Sequence, residues 1–387
     1  MRILHLCISA FYIDNYSYQE NILSKYHARL GHEVFIIASN FSFDKNGKGY
    51  YMKGTSEYIN KEGIKVSRVE FKKPFYSINR ILRRYSHLYK KIEAIEPDLI
   101  FTHNISAVDM HQIYRYVRKH PDVKLFGDNH ADYINSGRNL LSKYILHPII
   151  WRHYAKEIEP YLEKCFGVTP MRCRFLRDVY HISPDKIDFL PMGIDDEAIP
   201  TDRKATRNNV RKELRISDKD ILIITGGKID RKKNTHILLE ALKNLNRNDI
   251  HLVICGVLTE EMLFLKDYFS NKNIHYLGWC EAPKVINCMV AADVACFPGT
   301  HSTLWEQSVG IGLPAIFKRW PEMEHVDING NCLFVQGENV EELQRAIDRI
   351  TSEQYYNNIK NLATKASANF LYSNISLKAI GYSPKIE

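Results

Sequence analysis

Cys296 to Pro314 reads CFPGTHSTLWEQSVGIGLP and joins a buried-strand pattern to a polar loop and the start of a helix. The apolar run Val294–Phe297 ends at a Pro-Gly pair, as a buried strand of a parallel sheet does. The segment from Thr303 to Glu306 fits a capping box, in which the Thr side chain accepts a backbone N–H and the Glu reaches back. Helix N-termini just beyond parallel strands are where α/β folds bind nucleotides and phosphates. The polar loop before this helix is therefore a candidate binding site.

The length and composition indicate a soluble protein of two domains. The chain has 387 residues, and no run approaches the roughly 18 apolar residues of a membrane span. Its eight cysteines form no CxxC pair and no Cys/His ligand spacing, which favours a reduced cytoplasmic protein and predicts no bound metal. Asp218-Lys219-Asp220 matches a metal-binding Asp-x-Asp pattern but lies just before a strand, where an exposed turn is expected.

The formal net charge of +8 is unevenly distributed. Lys72 to Lys91 contains seven Lys or Arg residues and no acid. Two interpretations stay open for this predicted basic helix: a solvated face, or contact with an anionic surface such as phospholipid headgroups. No nucleic-acid-binding motif is present, and the aromatic residues of the segment equally suit an interfacial helix.

Strands and helices alternate along the first half. A first strand, Met1 to Ser9, is followed by a second possible capping box at Ser17 to Glu20, a helix and the strand Glu33 to Ala38, which together make a βαβ unit. The polar stretch Asn40 to Gly63 is expected to run over the surface. Polar side chains follow the ends of later strands, where ligands bind in open α/β sheets. From the first loop and these strand ends we predict ligand-binding residues: Tyr16, Tyr18, Gln19, His103, Asn104, Asp128 and Asn129, with His130 as a catalytic candidate.

The composition becomes charged and polar from Asp196 to Arg211, which predicts a domain boundary. The strand-helix alternation then restarts. The fold class is therefore α/β, with two Rossmann-like domains whose parallel sheets face each other across a cleft. The predicted domains are 1–200 and 212–368.

Gly226 and Gly227 begin a glycine- and lysine-rich turn after the first strand of the second half. It is not a Walker loop, because it lacks GxxxxGK[ST]. Two glycines let the backbone approach a ligand, Lys228 and Lys233 supply charge, and the following helix N-terminus favours an anion, which together suit a diphosphate. The alternative is a basic surface turn.

These residues resemble the retaining, nucleotide-sugar-dependent glycosyltransferases of the GT-B fold, in particular the large family 4. The resemblance covers most of the chain and follows the order of the family's motifs. The matching stretches are MRILHLCIS, LGHEVFIIAS, EPDLIFTHN, LPMGID, GGKIDRKKN with LLEAL, LGW, AADVACFP and EQSVGIGLPAIF. The resemblance implies that the first domain binds the acceptor and the second the donor, and that the segment 369–387 crosses back to the first domain.

The resemblance also assigns roles in donor binding. Lys228 and Lys233 match residues that hold the donor diphosphate, and Glu306 matches the second of two paired glutamates, which hydrogen-bonds the ribose. Strict spacing would put Gln307 there instead, and Pro298 stands where the first glutamate belongs. The shortened loop implies that the donor sugar contacts fall to Thr300, His301, Ser302 and Thr303. His130 resembles a His near donor sugar and acceptor.

The expected activity is a metal-free hexosyltransferase that uses a UDP- or GDP-linked sugar and a lipid-linked or polysaccharide acceptor in bacterial surface-glycan assembly. Positive groups would stabilise the charge that builds on the β-phosphate. A peripheral position on the inner face of the cell membrane is expected. Two alternatives stay open: a GT-B-like sugar-nucleotide epimerase, and a catalytically silent nucleotide-sugar-binding protein.

Overall fold

The computed structural model describes residues 1–44, 48–136 and 139–383. They form two compact units, one of residues 1–191 with 375–383 and one of residues 192–374. Each unit is an α/β layer structure around its own largely parallel sheet. The predicted α/β class with two Rossmann-like domains is confirmed.

The first unit is built on a sheet with strand order β10-β9-β8-β7-β1-β2-β6-β5. All neighbours are parallel except β5, which is antiparallel to β6, and β3 and β4 form a separate hairpin. The strands are β1 (Arg2–Cys7), β2 (Glu33–Ser39), β3 (Phe41–Phe43), β4 (Gly49–Tyr51), β5 (Ser56–Ile59), β6 (Lys65–Val69), β7 (Leu99–Thr102), β8 (Lys124–Asn129), β9 (Leu162–Gly167) and β10 (Ile187–Phe189). Leu4 of β1 lies in register with Phe35 on one side and Ile100 on the other, so the centre of the sheet is buried.

Helices cover both faces of this sheet. They are α1 (Gln19–Arg29), α2 (Tyr76–Ile81), α3 (Leu88–Ile95), α4 (Met110–Lys119), a π-helix (Ser142–Trp151), α5 (Arg152–Ile158) and α6 (Pro170–Asp178), with 3₁₀ turns at Glu159–Tyr161 and Pro184–Lys186. The predicted capping box at Ser17 to Glu20 is wrong, because Tyr18 is the N-cap residue and its side chain makes no capping hydrogen bond. In the predicted surface excursion from Asn40 to Gly63, the described residues are mostly exposed or half-buried and include the short strands β3, β4 and β5; residues 45–47 lie outside the described residues.

The basic segment Lys72 to Lys91 is not one helix. It contains α2, the beginning of α3 and, between them, Tyr85, which bridges to Phe71 and is buried. Arg83 donates to the Ser106 carbonyl at 2.6 Å and lies over the Trp151 ring at 5.6 Å. Arg83 is thus part of the fold rather than of a solvated face. Among the described helices, none is long and apolar enough to cross a membrane.

The second unit has the strand order β13-β12-β11-β14-β15-β16, with every pair parallel. The strands are β11 (Ile221–Ile229), β12 (Ile250–Leu258), β13 (Ile274–Gly278), β14 (Val294–Phe297), β15 (Ala315–Lys318) and β16 (Cys332–Val335). The helices are α7 (Arg203–Leu214), α8 (Thr235–Leu245), α9 (Ala282–Ala291), α10 (Leu304–Ile311), α11 (Val340–Thr351) and α12 (Glu353–Ala366). Helix α13 (Tyr372–Ala379) begins in this unit and ends in the first one. Shorter 3₁₀ segments are Asp196–Ala198, Arg231–Lys233, Glu260–Ser270, Glu324–Val326 and Ser367–Phe370.

The charged stretch from Asp196 to Arg211, where the domain boundary was predicted, lies at the start of the second unit, and α7 begins within it. Asp202 caps this helix by accepting the Ala205 N–H at 2.8 Å. Arg207 and Arg211 both pair with Asp293 before β14, at 2.7 and 3.2 Å. The polar composition therefore reflects ion pairs inside the second unit.

Gly226, Gly227 and Lys228 lie in β11 and not in the predicted turn. A Cβ at position 226 would collide with the carbonyl oxygen of Cys255 on β12, so the strands can approach this closely only with glycine there. Gly227 has φ +102°, a conformation that favours glycine. The turn itself begins one residue beyond Ile229.

Candidate active site

The carboxyl ends of β11 and β14 are tied together by Asn234, which has φ +54° at the start of α8. Its amide donates to the carbonyl oxygens of Pro298 at 3.1 Å and Gly337 at 2.7 Å. Gly299 lies against the backbone of Lys233, where a Cβ would collide with it. The loop after β14 is thereby held beside the lysine-bearing turn.

Glu306, in the first turn of α10, is fully buried and faces two histidines. Its Oε1 accepts hydrogen bonds from His301 Nε2 and His325 Nε2, both at 2.8 Å. Its Oε2 has no hydrogen-bond partner among the described residues. One carboxylate oxygen is therefore fixed by the protein, and the other can still accept a hydrogen bond.

The predicted capping box at Thr303 is wrong. Thr303 has helical φ/ψ angles and makes no side-chain capping bond, and the Glu306 carboxylate is used by the histidines. Gln307 is half-buried, and the two histidines donate to the Glu306 carboxylate.

Burial acts to raise the pKa of Glu306, but His301 and His325 lower it well below its usual range. The carboxylate is therefore ionised at any physiological pH. A buried charge of this kind is stable only with hydrogen-bonding partners, which the two imidazoles supply.

His301, Glu306 and His325 are also the one group in the described part of the chain whose ligand atoms could hold a metal ion, lying within 4.8 Å of one another. Imidazole nitrogen and carboxylate oxygen are ligands that Zn²⁺ accepts, at roughly 2.0–2.2 Å. Both nitrogens lie at hydrogen-bond distance from the same oxygen, so hydrogen bonding alone accounts for the arrangement. That the protein needs no metal stays a prediction.

The two candidate lysines have different surroundings. The Lys233 ammonium donates to the Thr300 carbonyl at 2.7 Å and lies 3.4 Å from that of His301. Burial lowers the pKa of Lys233, and Asp230 partly opposes this shift. Lys228, at the end of β11, is exposed, and its ammonium has no partner within the described ranges. Lys233 therefore orders the loop, while Lys228 is free to meet an anion.

The remaining residues of the loop are less uniform. Thr303 is exposed, whereas the Ser302 hydroxyl and the Trp305 indole N–H are buried without hydrogen-bond partners in the part of the chain that the structure describes. The Trp305 ring stacks on Phe317 with centroids 4.5 Å apart, which anchors α10 on β15. Because buried polar atoms are normally hydrogen-bonded, these two groups beside Glu306 indicate a place where a polar ligand would supply the missing hydrogen bonds.

In the first unit, Asp128 lies at the carboxyl end of β8 and is fully buried. Its Oδ1 accepts the Asn104 N–H at 2.7 Å, and its Oδ2 lies 3.1 Å from His103 Nδ1 and 3.5 Å from His130 Nε2. Burial acts to raise the pKa of Asp128, but His130 and His103 lower it below its usual range. Burial acts to lower the pKa of His130, and Asp128 more than reverses this, so the net shift is upward. His130 thus carries a proton in a larger fraction of molecules than a free imidazole does.

The other predicted acceptor residues separate into buried and accessible groups. Asn129 is fully buried and donates to the carbonyls of Ala131 and Arg172, so it supports the fold. Tyr16 and Tyr18 are exposed on the first loop. Gln19 is buried, yet neither atom of its amide has a partner among the described residues.

Two residues of the site could not be found from sequence. His325 lies in the 3₁₀ turn after β15, in a stretch without a recognisable motif, and Asn234 was only part of the predicted turn. Their roles depend on partners far along the chain, 19 residues away for His325 and 64 for Asn234.

Comparisons with known proteins agree with this architecture. Residues 22–198 match the family model "Glycosyltransferase Family 4", and residues 206–368 match "Glycosyl transferases group 1". Among the curated proteins, none matches this sequence.

Solved structures share the fold at low sequence identity. HepE of Anabaena, in complex with UDP, is 13% identical with a TM-score of 0.66, covering 98% of each chain. WaaG, a glycosyltransferase of lipopolysaccharide biosynthesis, is 15% identical with a TM-score of 0.60, covering 98% of this chain and all of its own. A putative UDP-N-acetylglucosamine 2-epimerase from Listeria monocytogenes is 13% identical with a TM-score of 0.60, covering 97% and 93%.

The two family models account for most of both halves, and the neighbours have the GT-B fold. The chain is a glycosyltransferase of the GT-B fold.

Proposed function

We propose that this glycosyltransferase is a hexosyltransferase that moves a sugar from a nucleotide-diphosphate sugar to a lipid-linked or polysaccharide acceptor, with retention, in bacterial surface-glycan assembly. The observation that carries the proposal is the Glu306 carboxylate, held at Oε1 by two imidazoles while the buried Oε2 has no hydrogen-bond partner among the described residues. Ribose hydroxyls are donors that Oε2 can accept, and a rigid, ionised carboxylate binds them without reorganisation. A UDP- or GDP-linked donor is proposed, in keeping with the UDP bound by the similar HepE.

The diphosphate is assigned to Lys228 and Lys233 and to the N-terminus of α8. When the bond between the anomeric carbon and the β-phosphate oxygen breaks, negative charge grows on that phosphate. Among the described residues the Lys228 ammonium has no partner, and Lys233 is held in place by the Thr300 carbonyl. Preorganised positive groups of this kind lower the barrier without a metal ion.

Retention is proposed with a same-face attack. The acceptor oxygen forms the new bond to the anomeric carbon as the nucleoside diphosphate leaves with the electrons of the old one. The hydroxyl proton passes to the departing phosphate oxygen, so atoms and charge balance. His130, protonated more often because of Asp128, is assigned to orienting the acceptor and the sugar.

A position at the inner face of the cell membrane is supported by exposed apolar side chains next to basic ones in the first unit. Phe75, Ile78 and Ile81 on and beside α2 are exposed, as are the basic residues Lys73, which precedes them, and Arg80. The π-helix and the residue before it add further exposed apolar side chains, namely Leu141, Tyr144, Ile145 and Ile149. Apolar side chains flanked by positive charge suit an anionic bilayer surface, which would bring the enzyme to a lipid-linked acceptor.

The test is a two-stage assay with the full chain in EDTA, because no metal is proposed. UDP-, GDP- and ADP-sugars are first screened by thermal shift, where a ligand at 100 times its Kd stabilises the fold by about 2.7 kcal/mol. The binding donor is then offered with lipid-linked acceptors, and the anomeric configuration of the product is read by NMR. Transfer with retention is expected.

The outcomes separate the alternatives. Conversion of the free nucleotide sugar without acceptor would identify an epimerase. Donor binding with neither transfer nor hydrolysis would identify a silent binding protein. Loss of activity in EDTA that Zn²⁺ restores would show that the histidine cluster at Glu306 is a metal site.

A further inference from the structure

A chain of three buried imidazoles runs through the first unit from helix α13 to Asp128. His27 Nε2 lies 2.9 Å from the Ser376 carbonyl oxygen, and His27 Nδ1 lies 2.9 Å from His5 Nε2. His5 Nδ1 lies 2.9 Å from His103 Nε2, and His103 Nδ1 lies 3.1 Å from Asp128 Oδ2. All three rings and the carboxylate are 0% exposed. The four contacts therefore form one continuous hydrogen-bonded line in the interior.

The number of protons on this line follows from the groups at its two ends. A backbone carbonyl and an ionised carboxylate only accept hydrogen bonds, so a nitrogen must donate at each end. Four contacts need four N–H donors, but three neutral imidazoles have only three. With three protons, one contact would place two lone pairs against each other in the interior, which is unfavourable. A fourth proton satisfies every contact and makes one ring an imidazolium.

The position of that charge follows from burial and from the nearest carboxylate. Burial and the neighbouring rings hold the pKa of His5 well below its ordinary value, and burial lowers the pKa of His27 to about 4. Both rings are then neutral, with their single protons on Nε2. At the other end, one proton lies between His103 Nδ1 and Asp128 Oδ2 and could reside on either atom. Asp128 Oδ1 also accepts the Asn104 N–H at 2.7 Å, which stabilises the ionised carboxylate. The proton therefore resides on His103, which then carries two.

We propose that His5, His27 and His103 form a positioning chain that carries four imidazole protons, and that the resulting charge on His103 offsets Asp128 and sets how strongly Asp128 acts on His130. The proton count stands on the four contacts together with an ionised Asp128, whose carboxylate also accepts the Asn104 N–H. The consequence for catalysis rests on the role proposed above for His130.

His130 is the group through which the chain would act. Its Nε2 lies 3.5 Å from Asp128 Oδ2, and the other charged groups that influence it are Glu20, which favours its protonated form, and Arg172, which opposes it. A positive His103 weakens the pull of Asp128 on the His130 proton. If His103 became neutral, His130 would hold its proton to higher pH.

The first experiment counts protons in the wild-type protein. With ¹⁵N-histidine labelling, one- and two-bond ¹H–¹⁵N spectra report which ring nitrogens carry hydrogen. Two protons are expected on His103 and one each on the Nε2 atoms of His5 and His27. Three protons over the three rings would overturn the proposal.

The second experiment changes the count at one position. His27→Phe leaves two rings and two contacts ending at Asp128, for which two neutral imidazoles suffice, so the extra proton is expected to leave. The pKa of His130 should then rise by on the order of one unit, as expected for losing a unit charge a few ångströms away in a partly polar interior. His27→Gln can still donate to Ser376 and accept from His5, so it should keep both protons on His103 and the wild-type His130 titration.

A buried histidine that is not part of the three-imidazole chain serves as a control for general loosening of the fold. His147 bonds Tyr180 Oη at 2.7 Å in the same unit, and His147→Phe should leave His130 unchanged. A rise of the His130 pKa in this variant, or no rise in His27→Phe, would overturn the positioning role.

Sugar transfer adds an independent readout, since the pH midpoint of activity assigned to His130 should move with the pKa of His130. Absence of transfer in the wild type would refute the proposed function and leave the NMR results standing.

Discussion

Lys233 and Glu306 both touch the loop after β14, but their charges would meet the donor in different ways. In the proposed assignments, Lys233 would face charge that grows during bond breaking, whereas Glu306 would hold ribose hydroxyls equally in ground and transition states. Only interactions that strengthen in the transition state raise kcat. Replacing Lys233 should therefore lower kcat, whereas replacing Glu306 should raise the KM for the donor.

Lys233→Ala is expected to lower kcat by about a hundredfold or more, the scale of losing one preorganised charge stabiliser. It also removes the bond to the Thr300 carbonyl, so the melting temperature must be measured on the same variant. Lys232→Ala is the matched control, because that side chain is exposed one position away. Full kcat of Lys233→Ala at saturating donor and acceptor would contradict the diphosphate assignment.

Glu306→Gln is expected to raise the donor KM with little change in kcat. The amide oxygen can still accept from the histidines, while an NH₂ group replaces the acceptor Oε2. Gln307→Ala serves as the control and should leave KM unchanged, since Gln307 does not reach the histidine cluster. A raised donor KM in Gln307→Ala, with an unchanged KM in Glu306→Gln, would show that Gln307 takes the place of the family's second glutamate.

Asp109→Asn tests a buried carboxylate outside the active site. Asp109 accepts the Tyr85 N–H at 2.6 Å, and burial raises its pKa to about 6. Because the folded pKa exceeds the unfolded value near 3.9, this group's contribution to stability is full below about pH 4 and is lost as pH rises through about 6. Asn keeps the acceptor without the charge, so the variant should be more stable above pH 6 by on the order of 2–3 kcal/mol. Urea unfolding at pH 4.5 and 7.5 measures this, with the exposed Asp122→Asn as control; an equal effect at both pH values would contradict it.

At the scale of elements, the segment Lys72 to Lys91 shows how composition and structure diverge. Its charges suggest one basic helix, but Arg83 and Tyr85 turn inward and divide it into α2 and the start of α3. The surface that remains for a membrane combines the charge of Lys73 and Arg80 with exposed apolar side chains of α2.

Binding to anionic vesicles should therefore depend on both kinds of side chain. Ile78→Asp with Ile81→Asp is expected to abolish vesicle binding, and Lys73→Ser with Arg80→Ser to weaken it by about 1 kcal/mol per charge, or roughly thirtyfold in all. All four side chains are exposed, so folding should survive. Sedimentation with phosphatidylglycerol vesicles measures binding, and the control Ile59→Asp changes an exposed apolar residue on β5. Unchanged vesicle binding by the variant with Ile78→Asp and Ile81→Asp would show that α2 is a solvated helix that does not contact the membrane.

At the scale of the whole molecule, the first unit is not one continuous stretch of sequence, because it also contains residues 375–383. Ile375 and Ile380 are buried there, Lys378 pairs with Asp188 at 3.3 Å, and the Ser376 carbonyl accepts from His27. The last described turn of the chain is thus part of the structure that holds β1 and α1.

A chain that ends at Asn374 should consequently lose stability in the first unit. Hydrogen exchange is expected to rise in β1 and α1, while β11 and β14 of the second unit keep their protection. Ending the chain instead after Ser383 should have no such effect. Equal loss of protection in both units would contradict this division.

Local pattern alone determined the strands and helices that alternate in both halves, because burial in a parallel sheet requires apolar runs and helices require a stripe of period 3.6. It also placed Glu306, Lys228 and Lys233 near the ends of such elements. It failed in the basic segment around Arg83, where polar composition had a tertiary cause. The charge of α7 has a tertiary cause as well, because its arginines pair with Asp293.

Only the tertiary structure decided what the buried polar groups do. Glu306 was expected to cap its own helix, but His325 on another loop takes its carboxylate, and His5 meets His103 across 98 residues. Such pairs depend on strand order, which brings β7 beside β1 and β15 beside β14. Strand order is set by packing of whole elements and leaves no periodicity in the sequence around any one residue, so the two histidine clusters could be found only in the folded chain.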